Sequence, residues 1–407
     1  MKGGRLLIAQ SGGPTAVVNA TAVAAALEAR RSRRIGEVWA ASEGLLGLLE
    51  GRFIDLGSPS RRALKALSGA PGAAFGSCRR GLADEAEGER AVSELKRHDV
   101  RYLLYIGGND SMRNAADIDR TARRLGYELF VLGIPKTIDN DLAGTDHCPG
   151  YGSAARMIAT MVMEAGLDTE ALSSFDRVNI VETMGRDAGW LAASTALARR
   201  GEEDAPHLIL LPELPFDEEA FCSAVEGKLG SLGRCVIAVS EGLRLKNGDY
   251  LSAQGGAFGA DQFGHAQLGG AAFRLKTLVE ARLKAKTRFC ISSTAQRVAG
   301  HWASGRDLEE SARLGRAAVR LARSGVGGLM LTLERSSGPA YRCSVGSIAL
   351  DEVAGKTRAF PAAWIDDDGL GVRSGFLDYL RPLVTARPGM RLRDGLPLYP
   401  RLERRYV

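Results

Sequence analysis

Apolar residues along the chain gather into short unbroken runs separated by longer stretches with helical spacing. RLLIAQ (5–10), RYLLYI (101–106), ELFVLGI (128–134), VNIVE (178–182), HLILLPELPF (207–216), RCVIAVSEGL (234–243) and GVGGLMLTLER (325–335) read as strands buried on both faces, as in parallel sheets. AVVNATAVAAALEAR (16–30), LADEAEGERAVSELKRHDV (82–100), MRNAADIDRTARRLG (112–126) and the Arg-rich 307–323 instead have the spacing of helices with one apolar face. Gly126 closes the third of them as a glycine does just past a helix end. Alternating strands and helices predict an α/β fold with mostly parallel sheets. The stretches ASEGLLGLLEG (41–51) and DHCPGYGSAARMIATMVMEAGLDTEAL (146–172) are read as packing elements, and the methionines of the second as core.

The polar turns after these strands carry the candidate chemistry. Gly107-Gly108-Asn109-Asp110-Ser111 follows one strand, and Pro135-Lys136-Thr137-Ile138-Asp139-Asn140-Asp141 follows the next. Both lie at carboxyl ends of neighbouring strands, where open α/β sheets bind ligands. A Gly-Gly pair is often only a tight turn. The second turn is harder to explain by structure alone, since its acids, amide and lysine would repel or stay unpaired without a ligand or ion. Ser11-Gly12-Gly13-Pro14-Thr15 makes a similar strand–turn–helix junction, with backbone N–H groups suited to phosphate, but it lacks the GxGxxG spacing of a dinucleotide site. Arg177 and Arg186 flank VNIVE and must stand at opposite ends of that strand. Read alone, Arg79 and Arg177 are solvated charges and His265 is structural, while Glu241, at a strand end, is equally a solvated loop glutamate or an acceptor for sugar hydroxyls. VAGKT (353–357) fails as a P-loop because its first glycine would fall at Leu350, and DDDG (366–369) lacks the spacing of a calcium loop.

Composition excludes more than it selects. The 407 residues are 45% hydrophobic and 25% charged, enough for two or three domains of an ordinary globular protein. No run reaches the length of a membrane span, and the amino end is too short and polar for a signal peptide. The 6 cysteines and 5 histidines are dispersed without metal-ligand spacing, so a reduced, cytoplasmic protein is expected. The net charge of +6 suits anionic metabolites, while sparse aromatics give nucleic-acid binding no support.

Taken together, SGGPT, GGNDS, PKTIDND, Met184-Gly185-Arg186 and the Arg297 region resemble the 6-phosphofructokinase family, in its pyrophosphate-dependent branch. In the ATP-using branch glycine stands at the positions of Asp110 and Lys136. The likeness thins over the last 80 or so residues. It implies two Rossmann-like lobes with the active site in the cleft between them. Residues 1–150, completed by part of 298–345, would hold the phosphoryl donor, and 151–297 the sugar phosphate. Residues 346–407 would be an extension, ending in a basic tail that is solvated or packed on another subunit.

The implied reaction is Mg²⁺-dependent phosphoryl transfer from pyrophosphate to the 1-hydroxyl of fructose 6-phosphate, a reversible step of glycolysis and gluconeogenesis. Asp139 would be the general base, positioned with Thr137. Gly12, Arg79, Gly108, Asp110 and Lys136 would bind the donor. Thr137, Asp139, Met184, Gly185, Arg186, Glu241, Arg288, Thr294 and Arg297 would bind the sugar phosphate, and Arg177 would reach a neighbouring subunit's, making a homodimer or homotetramer. Asn109 and Asp110 would meet the metal, with Asp141 orienting Lys136 or a metal-bound water. Two departures leave alternatives open. Asn109 replaces the aspartate that holds Mg²⁺ in ATP-using relatives, and Thr294 stands where many members have histidine or tyrosine. ATP as donor, sedoheptulose 7-phosphate as acceptor and a non-catalytic sugar-phosphate sensor are the rival readings.

Overall fold

A computed structural model describes residues 3–252, 268–338, 340–386 and 389–407 of the chain, so His265 lies outside the described residues. The apolar runs become strands β1 (Arg5–Gln10), β2 (Val38–Ala41), β3 (Phe53–Asp55), β4 (Val100–Gly107), β5 (Phe130–Pro135), β6 (Val178–Thr183), β7 (Leu208–Leu210), β8 (Cys235–Ser240), β9 (Thr287–Ile291), β10 (Leu329–Arg335) and β11 (Cys343–Ala349). They form a 7-stranded sheet, in the order β11-β10-β5-β4-β1-β2-β3, and a 4-stranded sheet, in the order β7-β8-β6-β9. Within these two sheets, among the described residues, β10–β11 and β2–β3 pair antiparallel and the other neighbours pair parallel.

The continuous apolar runs follow from burial on both faces. In β1, Leu7 and Ala9 point into one core and Leu6 and Ile8 into the other, and all of them are fully buried. The helix Asn109–Arg124 ends as its sequence predicts. Gly126 takes φ +64°, the Gly126 N–H donates to the Arg123 carbonyl and the Tyr127 N–H to that of Ala122. The helix Tyr151–Ala171 starts at Gly150, which has no capping side chain. Asp307, from the start of the helix Gly305–Arg323, serves instead. Its buried carboxylate accepts from the backbone N–H groups of Gly150 and Ser153, both at 2.9 Å, and from Ser153 Oγ at 2.6 Å.

The earlier part of the C-terminal extension packs within its own chain, while most residues of the basic tail 391–407 are exposed, as expected of a solvated tail. Phe360, Trp364, Phe376 and Tyr379 surround Trp190 of the second lobe. The last residues return to the first sheet, where Tyr406 bridges Ile54 and the Asp55 N–H donates to the Arg405 carbonyl at 2.8 Å. Because β3 is an edge strand, these contacts satisfy backbone groups that the sheet leaves open. Leu402 packs against the first-lobe core, while Leu392, Leu396, Leu398 and Tyr406 stay exposed.

Both sheets present the carboxyl ends of their parallel strands to one cleft. In the first sheet β1 continues to β2 on one side while β4 continues to β5 on the other, which is a topological switch point. The turns Gly12–Thr15, Gly107–Ser111 and Lys136–Asp141 open there. Facing them are the ends of β6, β8 and β9.

Candidate active site

On the first-lobe side, cations converge on the turn after β1. The Lys136 ammonium donates to the Gly13 carbonyl at 2.6 Å. A Cβ built on Gly13 would lie 3.0 Å from an Arg297 guanidinium nitrogen and 3.3 Å from one of Arg79, so glycine is the residue that lets both arginines approach. Burial lowers the Lys136 pKa to about 8, with Asp139 pulling it back up and Arg79 and Arg297 adding to the fall. A dianionic ligand would relieve that like-charge crowding.

Gly108 caps the helix Asn109–Arg124, which places Asn109 and Asp110 in its first turn beside the cleft. Asn109 Nδ2 donates to Asp141 Oδ2 at 2.8 Å, and this leaves Asn109 Oδ1 buried with no hydrogen-bond partner. Asp141 therefore orients Asn109, whereas the Lys136 ammonium is held by Gly13.

The turn after β5 is tightly specified. Thr137 Oγ1 accepts from the Asp139 N–H at 3.1 Å, and the Thr137 N–H donates to the Pro149 carbonyl at 3.2 Å. Asn140 sits between the two acids with φ +56°, a left-handed conformation that asparagine tolerates better than most residues. Burial raises the Asp139 pKa, opposed first by Arg186 and then by Lys136. Burial and the neighbouring Asp139 raise Asp141 to about 7. The acids share one site, so their titration belongs to the pair.

On the opposite wall, the Met184 N–H donates to Gln296 Oε1 at 3.0 Å and the Arg186 N–H to Glu241 Oε1 at 3.4 Å. The two strand-end turns touch closely: a Cβ on Gly242 would fall 1.5 Å from the Arg186 carbonyl oxygen. Burial raises Glu241 to about 7, with Asp139 adding to it. Glu182, at the end of β6, accepts from the N–H groups of Gly270 (3.0 Å) and Ala272 (2.9 Å) and so fixes the start of the helix Ala271–Leu283.

These walls enclose a cavity of about 1230 Å³, large enough for two small substrates side by side. Gly12, Arg79, Gly108, Asn109, Asp110, Lys136, Thr137, Asp139, Met184, Gly185, Arg186, Glu241, Thr294 and Arg297 all line it. Arg297, predicted with the sugar phosphate, places its guanidinium at Gly13 on the opposite side. Arg177 and Arg288 do not line the cavity. Both stand at the amino end of the second sheet, where Arg177 donates to the Leu229 and Gly233 carbonyls and Arg288 pairs with Asp176.

The sequence profile of the phosphofructokinase family, described as "Phosphofructokinase", matches residues 5–322, well over half of the chain. The chain belongs to the phosphofructokinase family. It is 43% identical to the pyrophosphate–fructose 6-phosphate 1-phosphotransferase of Xanthomonas campestris pv. campestris, over 99% of this chain and 97% of that one. Among solved structures it is similar to the pyrophosphate-dependent phosphofructokinase of Marinobacter aquaeolei, with TM-score 0.89 and 37% identity, and to that of Nitrosospira multiformis, with TM-score 0.90 and 36% identity. Each alignment covers 99% of this chain and 97% of the other.

Within this phosphofructokinase cleft, sequence reasoning missed Gln296, Glu182, Gly355 and Thr357, all of which line it. Glu182 ends an apolar run and Gln296 follows the noted Thr294, so position was a usable signal for both. Gly355 and Thr357 belong to VAGKT, which fails as a P-loop, yet Thr357 bridges Leu142 beside Asp141 and so reaches the site by another route.

Proposed function

We propose that the cleft transfers a phosphoryl group from pyrophosphate to the 1-hydroxyl of fructose 6-phosphate, giving fructose 1,6-bisphosphate and phosphate, reversibly. The observation that carries this reading is the buried Lys136 ammonium at Gly13, ringed by Arg79 and Arg297 and lying across the cleft from Glu241 and Met184–Arg186. Residues 1–150 with part of 298–345 form the donor side, and 151–297 the acceptor side.

Gly12, Gly108, Asp110 and Lys136 bind pyrophosphate. Arg79 and Arg297 neutralise the group in transfer, which is where the barrier to phosphoryl transfer is lowered. Thr137 holds the Asp139 backbone, and Asp139 takes the proton of the attacking hydroxyl. Met184, Gly185, Arg186, Glu241 and Thr294 hold the sugar phosphate.

The donor set fits Mg²⁺. Among the described residues no group of three or more acidic, histidine or cysteine side chains is arranged for a metal. Mg²⁺, however, takes one or two protein oxygens and completes its shell with phosphates and water. Asn109 Oδ1, buried and unpartnered, and the Asp110 carboxylate are such oxygens. When bound, Mg²⁺ would neutralise phosphate charge, and Asn109, oriented through its amide nitrogen by Asp141, would offer its free Oδ1 to hold it. Because Asn109 is neutral, Asp110 and pyrophosphate carry more of the binding than a pair of aspartates would need to.

Strand β9 supports a reading of the assembly. It is the edge of its sheet, with Phe289 and Ile291 each 40% exposed, and Phe175 and Phe273 exposed close by. A second copy seated on this apolar edge would cover it and receive Arg177 and Arg288 at its own cleft. The chain is thus read as a homodimer or a homotetramer. If so, Arg177→Ala and Arg288→Ala should each raise KM for the sugar phosphate. A mixture of Arg288→Ala with Asp139→Asn should regain activity through hybrid sites. A fully active monomer, shown by light scattering under assay conditions, contradicts this. No described helix is long and apolar enough to cross a membrane, and cytoplasmic residence is part of the same reading.

Phosphorus NMR of the protein with pyrophosphate, fructose 6-phosphate and Mg²⁺ tests the function. The signals of fructose 1,6-bisphosphate and phosphate should grow in equal amounts. Phosphate alone would mean a pyrophosphatase, and no change would mean a sensor.

A further inference from the structure

Arg358 lies outside the matched family region, in the C-terminal stretch for which the sequence offered no role, yet it reaches the acidic turn of the cleft. Its guanidinium spends its donors on backbone carbonyls. Nε and Nη2 both donate to Asn140 O, at 3.2 and 2.7 Å, and Nη1 donates to Thr145 O at 2.8 Å and Asp146 O at 2.6 Å. Its backbone N–H donates to Asp141 O at 2.6 Å. Among the described residues the guanidinium makes no ion pair. It lies instead over the Trp190 ring, 4.4 Å from its centroid, and the indole N–H donates to the Arg358 carbonyl at 3.2 Å.

The carbonyl it grips most closely belongs to Asn140, the left-handed residue between Asp139 and Asp141. The Asn140 side chain is fixed as well, accepting from the Cys148 N–H at 2.8 Å and donating to the Tyr379 hydroxyl at 3.0 Å. That hydroxyl donates in turn to Asp146 O at 2.9 Å. Both ends of 140–146 are therefore tied to Arg358 and Tyr379, residues far along the chain. A planar fork with several fixed donors can hold diverging carbonyls in one geometry, which a lysine cannot. Its positive charge also acts on the Asp141 carboxylate, favouring its ionised form.

We infer that Arg358 is a positioning residue for phosphoryl transfer: by binding the carbonyls of Asn140, Thr145 and Asp146, with Tyr379 as its second anchor, it sets where the Asp139 carboxylate stands. This rests on the proposed function only for what Asp139 does, because the hold on the turn is independent of it. Misplacing a reacting group by about 1 Å costs about 10²-fold in rate.

The test uses the full-length protein. Arg358→Ala should lower kcat by about 10²-fold while KM for pyrophosphate and for fructose 6-phosphate stays within about three-fold. Guanidinium ion, below the concentration that begins to unfold the protein, should return part of the lost turnover, and Arg358→Lys should restore little. Tyr379→Phe keeps the aromatic packing and should cost about five-fold in kcat, which covers the case in which Arg358→Ala does not fold. Hydrogen exchange should quicken at the amides of 137–146 in both variants, a readout that needs no activity. Unchanged kcat, or unchanged exchange across 137–146 in folded variants, overturns the inference. So does a loss that only tracks the unfolded fraction and resists guanidinium. If the parent protein makes no sugar bisphosphate, the proposed reaction fails, while the exchange readout still decides the hold on the turn.

Discussion

Asp139→Asn is expected to lower turnover by about 10²–10⁴-fold with the KM for fructose 6-phosphate nearly kept. Asparagine preserves size and most hydrogen bonds but cannot take a proton. The Asp139 backbone, held by Thr137 Oγ1, and the buried Asn140 after it should keep the turn in place, so the loss falls on chemistry rather than on binding. The acids of this turn also predict a pH dependence. Burial raises both pKa values, Asp141 to about 7, and a base works only when deprotonated. The parent should therefore lose kcat as pH falls, starting above the ordinary carboxylate range, and the residual activity of Asp139→Asn should lack most of that limb. Near-normal turnover in the variant removes Asp139 from the role of base.

Donor choice gives the second large effect. Lys136→Gly should cut kcat/KM for pyrophosphate by about 10²–10³-fold, since it removes a charge aimed at the group in transfer. Asp110→Gly should do the reverse for ATP, raising its use by about 10²-fold or more, because a carboxylate facing an α-phosphate costs on the order of several kcal/mol. Asp110 lies in the first turn of a helix capped by Gly108, and it lines the cleft. A glycine there would leave room for a third phosphate. Lys136 is buried and already bound to Gly13, so its loss would leave Arg79 and Arg297 as the remaining cations at that turn. If Asp110→Gly only lowers the melting temperature and ATP stays inert, Asp110 serves the helix start and not the donor.

Much of this site was legible because its residues sit where short apolar runs stop. Gly12, Asp110, Lys136, Asp139, Arg186 and Glu241 each follow a strand, and parallel strands deliver their carboxyl ends to one crevice. What sequence could not supply was the meeting of distant segments. Nothing local marks Arg358 as the partner of Asn140, nor Gln296 as the acceptor for the Met184 N–H. Arg297 shows the same gap at shorter range: its residue type was singled out, but its side chain spans the cleft to Gly13, and a motif carries no rotamer. What sequence also could not supply is why Arg288 stands away from its own chain's cleft. It lies at the amino end of β9, and the short strand, four of whose five residues are exposed, had no buried apolar run to announce its direction.

The central claim is that the phosphoryl donor is pyrophosphate, selected by Asp110 and Lys136 over a nucleotide. Steady-state kcat/KM for pyrophosphate and for ATP, measured on the parent protein at saturating fructose 6-phosphate and Mg²⁺, tests it most directly. The account predicts that pyrophosphate is favoured by about 10³-fold or more. Equal use of the two donors, or preference for ATP, would contradict it.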